Sequence, residues 1–155
     1  MQKFLILLCT LTLLLFAGCA TQPPPEEDAG DEEAITKMYI TVNEHKLEVS
    51  LAENSSVDAL VSRLREEDIT FTASENGGFE IYGSIGKSLP TNNTQITAGV
   101  GDVLLYAGNN ICIFYGSNSY SYTRIGKISG YTASELRDML KTENGKVQVT
   151  ISFTK

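Results

Sequence analysis

Apolar positions change period several times along the chain, and each change predicts an element. Met38, Ile40 and Val42 alternate with Tyr39 and Thr41. Asn43-Glu44-His45 supplies a turn, and Leu47, Val49 and Leu51 alternate again, which is the pattern of a β-hairpin. Val57, Leu60, Val61 and Leu64 then fall at i, i+3, i+4 and i+7. With Ser55 as N-cap and Asp58 in the first turn, this spacing predicts an amphipathic helix over 56–66. Ile69, Phe71 and Ala73 return to the strand period.

From Asn76 to Gly101 the chain is rich in Gly, Asn, Ser and Thr, with one short strand-like piece at Phe79-Glu80-Ile81-Tyr82. A long irregular region of this kind is expected to be functional or mobile. Val103 to Tyr106 and Ile111 to Tyr115 are apolar at successive positions, so both faces of these strands are expected to be covered. Gly108-Asn109-Asn110 turns the chain between them. Strand character continues from Tyr120 to Ile128. Thr132-Ala133-Ser134-Glu135 is a capping box that opens a second helix to about Lys141. Val147, Val149, Ile151 and Phe153 form a last alternating strand. The expected fold is a mostly β, largely antiparallel structure with two short helices, in which closure into a barrel removes exposed strand edges.

The first residues do not belong to that pattern. Met1-Gln2-Lys3 is a basic start, and Phe4 to Ala17 is an apolar run of fourteen residues, below the roughly 20 that a spanning helix needs. Ala17-Gly18-Cys19 closes it, the layout of a secretory signal. The junction resembles the lipobox of bacterial lipoproteins, with Phe16 where Leu is commoner. That resemblance implies cleavage before Cys19, lipid on its thiol, and a domain attached to a membrane of the cell envelope. The attachment would be on the outer side of the cytoplasmic membrane or at the outer membrane. The boundaries read as a signal over 1–18, a lipidated Cys19 with an acidic, proline-rich tether over 19–36, and a domain over 37–155.

Charge supports the division. Of nineteen acids, Glu26, Glu27, Asp28, Asp31, Glu32 and Glu33 lie in the tether, whereas thirteen acids and eleven bases are spread from Lys37 onward. The net charge of −7 therefore resides largely in the tether, and no basic stripe suited to nucleic acid is visible. Prolines and like charges are expected to keep such a segment extended. Cys9 leaves with the signal and Cys19 takes lipid, so Cys112 has no partner for an intramolecular disulfide. It reads as a small buried hydrophobe. The single histidine, His45, falls in a turn, which leaves no triad and no usual zinc ligand set. Neither metal nor cofactor is expected.

Five motifs, in order, carry a resemblance across nearly the whole domain: Gly77-Gly78-Phe79-Glu80-Ile81-Tyr82-Gly83, Ser88-Leu89-Pro90-Thr91-Asn92, Gly101-Asp102-Val103-Leu104-Leu105-Tyr106, Ile113-Phe114-Tyr115-Gly116 and Ser121-Tyr122-Thr123-Arg124-Ile125-Gly126-Lys127-Ile128. Together they resemble the small bacterial cyclophilin-like domain family. The resemblance implies a closed eight-stranded cyclophilin-like barrel with a helix at each open end. Prolyl isomerases of that fold place an arginine beside an apolar pocket lined by Phe, Trp and His. The arginine donates to the prolyl nitrogen, which weakens amide resonance. This chain has no Trp, and no counterpart of the catalytic arginine motif, so no catalytic residue is transferred.

Candidate ligand-binding residues are Phe79, Tyr82, Tyr120, Tyr122 and Arg124. Tyr120, Tyr122 and Arg124 alternate onto one strand face and offer a guanidinium beside aromatic rings. The alternative is a surface ladder, or Arg124 pairing with Asp102 or Glu80 to hold the long loop. Phe79 and Tyr82 either face a ligand from the Gly-rich loop, or Phe79 plugs one end of the barrel. The expected role is binding of a peptide, protein or small ligand, with a divergent prolyl isomerase as the alternative.

Overall fold

The computed structural model describes residues 35–153, and within them nine strands and two helices follow one another in the order β1 (Lys37–Val42), β2 (His45–Leu51), α1 (Ser55–Glu66), β3 (Ile69–Asn76), β4 (Glu80–Ser84), β5 (Thr94–Ala98), β6 (Asp102–Tyr106), β7 (Asn110–Phe114), β8 (Asn118–Lys127), α2 (Ala133–Met139) and β9 (Lys146–Ser152). The signal, Cys19 and most of the tether lie outside the described residues. The strands pair in the order β2-β1-β9-β3-β4-β7-β6-β8, and β8 pairs back onto β2, so eight strands form a closed, antiparallel ring. β5 stands outside the ring on the first half of β8.

Alternation sends one set of side chains inward. Met38, Ile40, Leu47, Val49, Val103, Leu105, Ile111, Ile113, Ile125, Val149 and Ile151 are fully buried in the main core. Val57, Leu60 and Leu64 of α1 enter that core, as do Leu136 and Leu140 from the α2 region. The helices close opposite ends. Arg63 of α1 donates to the carbonyls of Ile85 and Lys87, beyond the end of β4. At the other end, Asn43 in the β1–β2 turn donates to the carbonyls of Met139 and Lys141.

The N-cap of α1 is Asn54, one residue before the expected Ser55. Its Oδ1 accepts from the backbone of Ser56 and Val57 at 3.0 and 3.1 Å. An amide explains the choice, because Nδ2 of the same side chain donates to the Arg124 carbonyl at 2.8 Å and ties the helix to β8. A hydroxyl is too short to do both. The capping box of α2 forms as expected on Thr132 and Glu135. The region expected to be irregular is more regular than its composition suggests: β3 runs to Asn76, β4 follows, and β5 is an additional strand with Ile96 and Ala98 buried.

A second apolar cluster explains why β6 and β7 are apolar on both faces. Leu104, Cys112 and Phe114 point out of the ring, where they pack with Ile96, Ala98, Tyr122 and Phe79. The expectation that Phe79 plugs a barrel end is corrected here. Its ring stacks on Phe114 with centroids 6.0 Å apart, in the outer cluster, because its carbonyl accepts from Tyr115 and Gly116 and holds the loop against the end of β7.

Closure of the ring is narrow. β2 and β8 share the register pairs Ser50↔Lys127 and Leu51↔Gly126, and a Cβ on Gly126 would collide with the Ser50 carbonyl. Gly126→Ala is therefore expected to cost on the order of 2–3 kcal/mol by forcing the seam apart. Gly99→Ala, whose Cβ would find its nearest neighbour at 4.0 Å, is expected to stay within about 0.5 kcal/mol. Urea melts of the soluble domain give both values.

Candidate functional site

On the outer face of the ring, β3, β4, β6, β7 and β8 surround a pocket of about 290 Å³ lined by Asn76, Glu80, Tyr82, Tyr106, Cys112, Asn118, Tyr120 and Tyr122. The register builds it. Glu80 and Tyr82 project outward from β4, opposite Phe114 and Cys112 of β7. Tyr106 ends β6, and Tyr120 and Tyr122 come from the half of β8 that carries β5. Tyr106, Tyr120 and Tyr122 form a triangle of edge-to-face rings with centroids 5.7 to 6.2 Å apart. Tyr122 also meets Phe114 edge-on at 5.7 Å, which anchors the triangle to the buried outer cluster.

The exposed apolar surface gathers here. Among the described residues, Tyr82, Tyr106, Tyr120 and Tyr131 are the large hydrophobic side chains left exposed, and the first three line this pocket. Apolar surface held in one concavity, rather than scattered, makes this pocket the candidate site.

Glu80 is the single charged residue among those lining the pocket, and it is 4% exposed. Its Oε1 accepts from Asn76 Nδ2 at 2.7 Å, whereas Oε2 is buried without a hydrogen-bond partner. Burial raises the pKa of this carboxyl, and the Asn76 amide and the Cys112 thiol, which favour its charge, do not compensate. The Cys112 thiol is pushed far above its ordinary range, by burial first and by the charge of Glu80 second. A thiol so protonated is no nucleophile. Tyr122 is raised as well, mainly by burial, against the Asn118 amide that donates to its hydroxyl at 3.0 Å.

Of the sequence candidates, Tyr82, Tyr120 and Tyr122 meet in the pocket, and Phe79 supports it from beneath through Phe114. Arg124 is directed elsewhere. Its guanidinium bonds Asp102 Oδ1 at 3.1 Å, and Lys127 Nζ reaches the same oxygen at 3.0 Å. Asp102 Oδ2 accepts from the Gly99 backbone at 2.8 Å. Burial disfavours the Asp102 charge, but Gly99, Lys127 and Arg124 outweigh it and hold the carboxyl below its usual range. No group of three or more His, Cys, Asp and Glu side chains among the described residues is placed to hold a metal ion.

Residues 40–152 match the sequence profile of the cyclophilin-like family. The chain belongs to that family. A solved structure similar to this cyclophilin-like domain is a hypothetical protein from Archaeoglobus fulgidus, determined in solution. It is 20% identical, with a TM-score of 0.54 over 81% of this chain and 99% of its own. At that identity the likeness concerns the fold. No curated protein sequence matches the chain.

Sequence reasoning did not assign Glu80, Tyr106, Asn76, Cys112 or Asn118 to a site. One signal was present: Glu80 is an acid between Phe79 and Ile81, in a strand that pairs on one side with β7, which is apolar on both faces. The two unusual carboxyls titrate in opposite senses. Asp102, with its pKa lowered, stabilises the fold above its unfolded value of about 3.9, and that stability is lost as pH falls through the folded value. Glu80, with its pKa raised, favours the fold most below its unfolded value of about 4.3, and stability is lost as pH rises through the folded value. Asp102→Asn is expected to cost about 1–3 kcal/mol at pH 7 and progressively less in acid. Glu80→Gln is expected to gain stability relative to the unmutated domain between pH 3 and pH 7. Urea melts across that range check both slopes.

Proposed function

We propose that this cyclophilin-like domain is a non-catalytic binding module for a small ligand or a single side chain of a peptide, held at the outer side of a bacterial membrane by lipid on Cys19. The tyrosine-lined pocket carries the binding part. Its volume lies at the lower edge of ligand pockets, enough for a small molecule or one side chain rather than a drug-sized ligand. The anchoring part is supported by the basic start, the apolar run and the Ala17-Gly18-Cys19 junction.

An isomerase reading needs a cationic donor beside the proline site. The pocket has neither Arg nor Lys in its lining, and Arg124 is engaged with Asp102. In NMR exchange measurements the domain is therefore expected to leave an Ala-Pro peptide at its spontaneous isomerisation time of tens to hundreds of seconds. Acceleration abolished by Arg124→Ala would favour catalysis. The binding reading is tested by screening small ligands and short peptides against the tyrosine ring resonances. Shifts confined to Tyr82, Tyr106, Tyr120 and Tyr122, and weakened at least tenfold in affinity by Tyr120→Ala, support it. Intact-mass spectrometry of the membrane fraction tests the anchor: an acylated chain beginning at Cys19 is expected, with unprocessed precursor for Cys19→Ala. An unacylated chain beginning elsewhere would reject lipid attachment.

A further inference from the structure

We infer that the pocket takes an organic ammonium group, either a small free alkylamine or the end of a lysine side chain, with Glu80 as its counter-charge and the tyrosine rings as its walls. The inference deepens the binding reading above and rests on it. A carboxylate in an apolar concavity is costly unless it is paired, and natural proteins rarely bury one without a partner. Asn76 satisfies Oε1, the neighbouring Cys112 thiol is a weak donor, and Oε2 is buried with no hydrogen-bond partner among the described residues. Tyr82, Tyr106, Tyr120 and Tyr122 line the same pocket, and tyrosine rings attract cations at their faces through their quadrupoles. Tyr82, Tyr106 and Tyr120 remain open to solvent at 37%, 38% and 52%, so a ligand can reach the rings without unfolding a strand.

The surrounding charges leave that role to a ligand. From β3 the residue facing Glu80 is Asn76, from β7 Cys112 and Phe114, from β6 Tyr106, and from β8 Asn118 and Tyr122, none of them cationic. Of the bases on the outer sheet face, Arg124 and Lys127 are committed to Asp102, and Lys146, in register with Ser74 beside Tyr82, is not among the residues lining the pocket. An anionic ligand would meet Glu80 with like charge and no donor cation. A neutral apolar ligand would leave Oε2 as it is. An N–H of an ammonium group supplies what the site lacks, a donor and a positive charge together.

The test is a titration followed by the tyrosine ring resonances, with n-butylammonium, tetramethylammonium, N-acetyl-lysine amide and the neutral 1-pentanol as probes. The unmutated domain is compared with Glu80→Gln and Tyr120→Ala. n-Butylammonium is expected to bind more tightly than 1-pentanol, and Glu80→Gln to weaken it at least tenfold while leaving 1-pentanol within twofold. Tetramethylammonium, which has no N–H, is expected to bind more weakly than n-butylammonium. Tyr120→Ala, at an exposed position, is expected to weaken both cations without changing the fold. Ammonium binding should fade as pH falls through the Glu80 titration and be flat with pH in Glu80→Gln. Comparable affinity for N-acetyl-lysine amide assigns the site to a protein or peptide partner, and preference for n-butylammonium assigns it to a free amine. Equal affinity for n-butylammonium in the unmutated domain and in Glu80→Gln overturns the inference. Binding of 1-pentanol without binding of either cation overturns it too, yet leaves the pocket a binding site. No shift with any probe or peptide removes both readings.

Discussion

A bulge at Ile125 lets one strand serve two structures. In β8 the register runs from Val103↔Gly126 to Leu104↔Arg124, so Ile125 has no opposite residue in β6. An inserted residue bends a strand and increases its twist. On one side of the bend, Gly126 and Lys127 close the ring against β2; on the other, Asn118 to Tyr122 pair with β5 over the outer face of β6 and β7. The bulge also resets the faces. In a regular strand, residues three apart point to opposite sides, yet Arg124 and Lys127 both reach Asp102. Ile125 and Gly126 are the pair that absorb the extra step, the first filling the core and the second leaving room for the Ser50 carbonyl.

Asp102 is consequently the point where the seam, the bend and the β5–β6 turn are joined. Its carboxylate takes one donor from the turn and two from β8, while its backbone N–H donates to the Gly99 carbonyl. Asn54 adds a link of another kind, from the first turn of α1 to the Arg124 carbonyl. These contacts hold the strand half that carries Tyr120 and Tyr122 at a set distance from Glu80 and Tyr82. The guanidinium that sequence reasoning associated with the tyrosines thus bears on their position through the backbone of β8.

The fold was largely legible because its determinants are local or periodic. Met38 to Val42, Leu47 to Leu51 and Val147 to Ile151 alternate as half-buried strands must, and the Thr132-Glu135 capping box is a first-turn property of α2. β5 was hidden because Thr94, Gln95 and Thr97 face solvent, leaving Ile96 and Ala98 as a weak alternation among turn formers. Ser55 was preferred as cap because hydroxyl and amide caps satisfy the same helix donors; the tertiary bond from Asn54 to β8 decided it. The site was harder. Tyr120 and Tyr122 follow from strand period, but their meeting with Glu80 depends on three register choices, β4 with β7, β7 with β6 and β6 with β8, and on one bulge. None of these is a property of a single segment. Residues 1–34, which carry the anchoring motif, lie outside the described structure, so that expectation stands on sequence and on the proposal built from it.

The inner core and the pocket draw on separate packing. The main core inside the ring joins eight strands and both helices, whereas the outer cluster is small, and one of its edges is the pocket itself. Burying Glu80 there works against folding, because the charged form loses hydration that the Asn76 amide and the weakly donating Cys112 thiol only partly replace. A closed ring can tolerate that loss, since closure and the inner core do not pass through β4's outward face. Replacing the acid with an apolar residue of similar size would relieve the fold and remove the one charge in the pocket. The physical arrangement therefore keeps a local cost in stability at the one charged residue of a pocket otherwise lined by tyrosines, amides and a thiol.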